Sequence, residues 1–464
     1  MIGEHAVVLG GSMGGLLAAR VLADRFARVT VVERDPLPKE SAQRRGVPQG
    51  RHAHAVLPAG AQVFDDLFPG LLDGFVADGV PVVREPAEMH FAPGGHKLTQ
   101  DGHYAVPTPT YQPSRPFLEG HIRARLRELA NVEIVDQCEV VDLVGSADRR
   151  RVTGVRVSHR VGREEQVLDA DLVVDATGRS GRATTWLEAM GYRKPAEERI
   201  AVDIKYVSRQ LRLRPGAMGR QKVVIVGAEP GRPTGATFLE QEEDRWLLTL
   251  IGYRGHHPPV EPDRFLEFAR TILPPHAHAA LDGAEPVDDL AVHRYRASVR
   301  RRYERLERFP EGLLVFGDAM CSFNPAYGQG MSAAALQATA LRDTLAKGGE
   351  QLAKRFFRTA ARRIEVAWQM AVGADLALPE IDAPRTRSTR LVNAYLGRLL
   401  DTAEHDWTVA ERFIRVSSLL APPTTLLGPG TLGRVALSGL RRRQRTGRTS
   451  DRNPSATQLT EEAR

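Results

Sequence analysis

The segment AVVLGGSMGGLLAARVLADRF, residues 6–26, decides how this chain is read. Ala6 to Leu9 form a short apolar run of strand type, and GGSMGG, Gly10 to Gly15, supplies a turn too rich in glycine for a helix or strand interior. From Leu16 the apolar positions recur at helical spacing. A β-branched run, Val29 to Val32, follows and ends in Glu33, about 20 residues past the glycine turn. Strand, turn, helix and strand in this order predict a Rossmann-type α/β unit. In such a unit the turn lets backbone N–H groups approach a pyrophosphate, the helix N-terminus adds partial positive charge, and the acid ending the second strand accepts ribose hydroxyls. Glu33 suits a free 2′-hydroxyl and would repel a 2′-phosphate. The glycine pattern departs at one place: Ser12, between Gly10 and Gly15, stands where the middle glycine is expected, and serine is small enough to be tolerated there.

Composition sets the frame around this unit. The 464 residues suffice for roughly two to four structural units. With 42% hydrophobic and 26% charged residues the chain reads as a globular protein, neither disordered nor fibrous. No run approaches the roughly 18 apolar residues of a membrane span, and no basic leader precedes a long apolar stretch, so a cytoplasmic protein without a transmembrane segment is expected. Two isolated cysteines, Cys138 and Cys321, lack CxxC spacing, which leaves neither a disulfide framework nor a zinc site, and no metal is expected. The net charge of +7 is partly concentrated from Arg441 onward, in a polar end, 441–464, that reads as a disordered basic tail. No basic stripe interleaved with aromatics accompanies the charge, so nucleic acid is not an expected partner.

The later segments separate two classes of dinucleotide site. A nicotinamide-binding half would continue into further strands after Glu33. Here RDPLPKESAQRRGVPQGRHAH, residues 34–54, is a Pro/Arg/His-rich loop leading to a helix near Ala59 to Leu67. SRPFLEGHIRARL, Ser114 to Leu126, is an amphipathic helix, and DLVVDATG, Asp171 to Gly178, is an apolar strand ending at a small-residue turn. In GLLVFGDAMCSFNPAYGQGMSAAALQATAL, Gly312 to Leu341, a buried strand meets Gly317-Asp318, then a Pro/Gly loop, then an alanine-rich helix. Between Ala183 and Pro286 the runs IAVDIKYV, KVVIV, ATFLEQ and RWLLTLIGY predict a second sheet, antiparallel by its short connections, and Met89 to Lys97 adds to it. Helical patterns dominate beyond Gly348 to about Leu420, with AVGADLALPEI as a linker. LLAPPTTLLGPG, residues 419–430, is placed at a substrate entrance or against a neighbour, and its proline and glycine exclude a continuous helix.

Over residues 1–345 the order of these motifs resembles the FAD-dependent class A monooxygenases typified by p-hydroxybenzoate hydroxylase, squalene epoxidase and the ubiquinone-pathway hydroxylases. RGVPQGRHAH and SFNPAYGQGMSAAA look closest to the actinobacterial flavin epoxidases of polyether biosynthesis, the monensin and lasalocid type. The resemblance implies a glutathione reductase-like FAD-binding domain from residues 1–75, 102–185 and 290–345. It also implies an inserted antiparallel-sheet substrate domain from 76–101 and 186–289, and a C-terminal helical region over 346–440.

FAD would lie against Gly10, Ser12, Met13, Gly14, Gly15 and Glu33 at the first turn. Arg34, Arg45 and Gln49 would serve it from the loop, and Thr177 and Gly178 from the DATG turn. Arg115 would pair with the pyrophosphate, and Asp318, after Gly317, would accept from ribityl hydroxyls. Pro325 would face the isoalloxazine. The N–H groups from Gly328 through Gly330 to Met331 would stabilise negative charge at the flavin N1–C2=O edge.

His52 and His54 alternate along RHAH, so one points toward the flavin and the other away; ligand acids or cysteines that would make them a metal site are missing. Arg44, Arg45 and Arg51 serve phosphate or reduced nicotinamide, or else form a solvated loop. Many relatives carry Asp-Gly where this chain has Thr177-Gly178. With no second Rossmann fingerprint, NAD(P)H either binds transiently or is replaced by a separate flavin reductase.

No nucleophile elbow or carboxylate dyad is present, so the cofactor must carry the chemistry. The resemblance implies reduction of FAD, addition of O₂ at C4a, and passage of one oxygen from the hydroperoxide to an apolar polyketide or terpenoid of secondary metabolism. Epoxidation needs no base; phenol hydroxylation does, and His54 or Tyr327 would supply it. Two alternatives stand beside this: a geranylgeranyl-reductase-like flavin reductase, and a structural FAD in a pocket that templates a non-redox cyclisation. The substrate, and whether the chain is a monomer or homodimer, are not encoded in any one motif.

Overall fold

A computed structural model describes residues 1–54 and 56–450. Its first sheet has five parallel strands in the order Leu313–Val315, Leu172–Asp175, Gly3–Leu9, Phe26–Val32 and Val132–Val135. The three central strands are near-continuous aliphatic runs because helices or a further small sheet cover both faces. The helix Met13–Ala23 buries Leu16, Leu17, Val21 and Leu22, and the alanine-rich helix Gly330–Leu345 packs close against it.

Register is what positions the site. Leu9 pairs with both Asp175 and Val32, and Asp175 pairs with Val315. Four strands therefore end level, and Gly10, Glu33, Ala176 and Phe316 leave the sheet along one carboxyl-terminal edge, where open α/β sheets bind ligands.

The second sheet is built from Cys321–Ser322, Ala291–Arg301, Glu197–Arg212, Arg245–Tyr253, Thr234–Gln241, Val223–Val226 and Met89–Ala92, with Glu285–Pro286 pairing beside Glu197–Arg212. All neighbours are antiparallel except Val223–Val226 with Met89–Ala92. The period of two sorts the long strand Glu197–Arg212. Val207 and Leu211 join a core beneath helices Pro262–Arg270 and Pro275–Ala280, while Val202, Ile204 and Tyr206 join Leu376, Leu378 and Ile381 on the other face. A three-stranded antiparallel sheet, Cys138–Gly145, Val152–His159 and Glu165–Asp169, flanks the first. The Rossmann-type unit, inserted sheet and C-terminal helices are thus all present.

Three expectations are corrected. The motif order places Ala291–Arg301 with the parallel-sheet unit, but it pairs with Glu197–Arg212; arginines at 294, 296, 300 and 301 interrupt the apolar pattern that marks a sheet strand. AVGADLALPEI is not all linker, since helix Leu352–Asp375 runs through its first five residues before the chain turns. The tail expected to be unstructured from Arg441 is helical to Ser450, because helix Pro429–Ser450 continues into it; the remainder, 451–464, lies outside the described residues. Among the described residues no helix is long and apolar enough to cross a membrane.

Candidate active site

A cavity of about 810 Å³ runs along the carboxyl edge of the parallel sheet and under the second sheet. Every residue that the sequence assigns to FAD lines it except Gly15, and His54 lines it too; of the three loop arginines offered for phosphate or nicotinamide, Arg44 and Arg45 line it and Arg51, which is exposed, does not. Gly10 turns the chain at φ +103°, a region that L side chains rarely adopt. A Cβ at Gly15 would lie 1.8 Å from the Gly10 carbonyl oxygen. Gly15 is therefore corrected from a cofactor contact to the residue that lets the helix meet its own turn. The helix it opens, Met13–Ala23, has no side-chain cap at Ser12, which leaves first-turn N–H groups without a side-chain partner.

Ser12 is more than a tolerated substitute for glycine. Its hydroxyl accepts from Arg115 Nη2 at 2.9 Å and donates to Glu119 Oε2 at 3.2 Å. Glu119 also accepts from Arg44 Nε at 2.7 Å and Arg115 Nε at 3.2 Å, with Arg123 at 3.8 Å. Burial alone would raise the Glu119 pKa, but Arg115 and Arg44 hold its carboxyl below the usual range. Glu119 lies in the quoted helix one turn after Arg115, yet only the fold shows that it is the anion holding these arginines.

Glu33 spends one oxygen on the Gly11 N–H at 2.7 Å, with Arg44 Nη1 3.5 Å from it, and the other on the Asp35 N–H at 3.0 Å, and the residue lines the cavity. Asp175 is fully buried: it accepts from the N–H and hydroxyl of Thr177 and from the Ala183 N–H, fixing the DATG turn. Asp318 is different. It opens onto the cavity and accepts no hydrogen bond from the described residues; the surrounding protein raises its pKa, with Arg179 and Arg115 pulling it back. Six arginines, at 34, 44, 45, 115, 179 and 182, line the space against three acids, Glu33, Glu139 and Asp318.

The expectation that one histidine turns away is corrected: residues two apart share a face, and His52 and His54 both line the cavity. His52 is buried under the second sheet, with Nδ1 2.7 Å from Ser208 Oγ, which lies 2.6 Å from Thr249 Oγ1. The Ala53 N–H donates to Thr249 Oγ1 at 2.9 Å, which still leaves either hydroxyl of the Ser208–Thr249 pair able to donate to the other, so His52 Nδ1 accepts from Ser208 in one arrangement and donates to it in the other. His52 packs beside Tyr206 and His293 on the same wall. His54 Nδ1 lies 2.8 Å from the His52 carbonyl and must donate, leaving the Nε2 lone pair free. Burial lowers both rings, to about 3 at His52 and about 4 at His54, where Arg115 adds to the effect.

Tyr327 is corrected: it is not a base facing the cavity. Its hydroxyl donates to Asp375 Oδ1 at 2.8 Å, and burial followed by the Asp375 charge pushes its pKa well above 10. Asn324 donates to Asp375 at 2.7 Å and accepts from Tyr206 at 2.8 Å, so this network pins the Asn324–Gly328 loop to the end of helix Leu352–Asp375.

Residues 4–373 match the family described as FAD binding domain. The chain belongs to this family. It is 39% identical over 449 residues, 94% of each chain, to Protein Rv3254 of Mycobacterium tuberculosis (strain ATCC 25618 / H37Rv). It is 25% identical over 84% of its length, and 82% of the relative's, to the kynurenine 3-monooxygenase of Salinispora arenicola (strain CNS-205). The flavin-dependent brominase Bmp2 shares the fold, with a TM-score of 0.66 at 16% identity over 95% of this chain and 100% of that one. This chain is a flavoprotein enzyme of the FAD-dependent monooxygenase family.

The residues fit FAD on their own geometry. One continuous cavity joins the uncapped helix N-terminus at Met13, an arginine-rich stretch suited to a diphosphate, and the unpartnered Asp318 carboxylate, a ready acceptor for hydroxyls. Gly328 to Met331 open the helix Gly330–Leu345 with no side-chain cap, presenting N–H groups to the same space.

Proposed function

We propose that this enzyme is an epoxidase or hydroxylase of the polyether-epoxidase type, acting in the cytoplasm on an apolar polyketide or terpenoid of secondary metabolism. FAD, when bound, supplies activation of O₂ and transfer of one oxygen atom. Gly10, Glu33, Arg115 and Asp318 would hold it, and Arg34 and Arg45, exposed at the cavity wall, would receive NAD(P)H transiently; a partner reductase is the other source of electrons. Phe323 and Met331 keep water from the reacting end, where a reactive oxygen species would otherwise decay.

The observation that carries the reading is the state of His54. A neutral imidazole with a pKa of about 4 is far too weak a base for a phenol, whose pKa is about 10. With Tyr327 turned to Asp375, neither residue proposed for that role is set up to remove a phenolic proton, which favours the epoxidase over the hydroxylase. Oxygen transfer to an alkene needs none, and the His54 lone pair would orient the substrate.

The test is to reduce the FAD-loaded protein with light in the absence of oxygen, then admit ¹⁸O₂ with apolar polyenes and, separately, phenols. Gain of one ¹⁸O by a polyene is expected. Product formed without O₂ while the flavin stays oxidised would instead establish cyclisation, saturation of a substrate double bond would establish a reductase, and colourless protein that takes up no FAD would refute the whole reading.

A further inference from the structure

All five leucines exposed among the described residues, Leu391, Leu427, Leu432, Leu437 and Leu440, fall in the last part of the chain. They lie on helix Arg387–Ala403, on helix Pro429–Ser450, which packs against it, or on the turn Pro423–Leu427 before the latter. At about 100° per residue, Leu432, Ala436, Leu440 and Leu437 span an arc of about 140° on the last helix. The opposite side carries Thr431 and Val435, which are buried; Val435 joins the core formed with Leu399, Val409 and Phe413, and Thr431 accepts from Arg412. The helix thus docks by one side and shows an apolar stripe to the outside, with Leu437 and Leu440 each 58% exposed.

The same helix is strongly basic. Residues 429–450 contain arginines at 434, 441, 442, 443, 445 and 448 and no acid. A helix with leucines along one exposed side of its first three turns, followed by arginines at 441, 442, 443, 445 and 448 with no acid, has the composition of an element that lies in a membrane interface, its apolar residues among acyl chains and its cations among anionic headgroups. We infer that the helix Pro429–Ser450 docks this protein on an anionic lipid bilayer. A second copy of the chain is a poorer match, since facing helices would bring two acid-free arginine runs into one interface. This proposal is independent of the substrate reading, and it gives LLAPPTTLLGPG, which leads into the helix and does not line the cavity, a place at the bilayer surface.

The experiment is cosedimentation of the full-length FAD-loaded protein with vesicles of phosphatidylcholine alone or with about 30% phosphatidylglycerol. Partitioning at least about tenfold stronger on the anionic vesicles, weakening with salt, is expected. The double variant Leu437→Glu/Leu440→Glu should lose at least about tenfold of that binding while its flavin spectrum and melting temperature stay unchanged. Leu432→Ser, a milder change on the same arc, should lose less. No binding to anionic vesicles, binding equal in wild type and the double variant, or a dimer abolished by the double variant without vesicle binding would overturn the proposal.

Discussion

Arg115 donates to the hydroxyl of Ser12 across 2.9 Å, although 103 residues separate them in the chain. The contact ties the helix Arg115–Arg127 to the glycine turn, and Glu119 completes it from one helical turn away. A serine in the middle glycine position thereby becomes part of the frame that aims a guanidinium along the cavity.

Arg115→Ala should weaken FAD binding by about 10- to 100-fold, the loss expected for one charge-assisted hydrogen bond of about 1.5–3 kcal/mol. Ser12→Gly keeps the turn and removes only the anchor, so it should cost less than Arg115→Ala. Flavin fluorescence quenching on titrating apoprotein with FAD measures both.

Glu119→Ala leaves Arg44, Arg115 and Arg123 buried without their common anion, and should destabilise the fold by about 3–5 kcal/mol in urea unfolding. Because the carboxyl is held below its ordinary value in the folded state, its contribution is present above the unfolded pKa and lost as pH falls through the lower folded one. Wild type should therefore lose its advantage over Glu119→Ala only in strong acid.

Gly15→Ala places a methyl 1.8 Å from the Gly10 oxygen. Backbone cannot yield as a flexible side chain would, so the helix must shift from the turn at a cost of about 1–3 kcal/mol. The thermal midpoint and FAD occupancy should fall together.

Asp375 has the opposite sign to Glu119. Burial raises its pKa to about 7, against which Asn324 and Tyr327 act by donating to it. A raised carboxyl favours the folded state at low pH, and the benefit is lost as pH rises from the unfolded value, about 4, through about 7. Asp375→Asn should gain stability relative to wild type across that window, by up to about 1.4 kcal/mol per pH unit. Urea unfolding at several pH values reads the slope.

His52 and His54 should stay neutral above about pH 5, since burial lowers both. Imidazole NMR should show the hydrogen on Nδ1 of His54, which faces the His52 carbonyl, with neither ring titrating between about pH 5 and 8. A hydrogen on Nε2 of His54 would overturn its donation to the His52 carbonyl.

Local patterns were legible because a single short segment contains their cause. Glycine at 10, 14 and 15, the aliphatic run before them and Glu33 after them make a turn of one kind wherever they occur, whereas the expected split of His52 and His54 fails because residues two apart share a face and both line the cavity. With the later motifs the glycine turn and Glu33 place the parallel unit, the second sheet and about half of the cavity lining, whereas Glu139, Arg179, Arg182, Tyr206 and His293 join it only through the fold. Other features depend on which distant side chains arrive beside one another. Glu119 reads in sequence as one more charge on an amphipathic helix, and becomes the hub of three arginines only when Arg44 folds over it. Tyr327 follows NPA in a loop that reads as facing the flavin, and a carboxylate 48 residues later turns it away. Sequence determined the chain's turns and periods because those are set by neighbours a few bonds apart; tertiary structure decided each polar group's partner, since an unpaired donor or acceptor taken from water must find its match wherever the fold brings one.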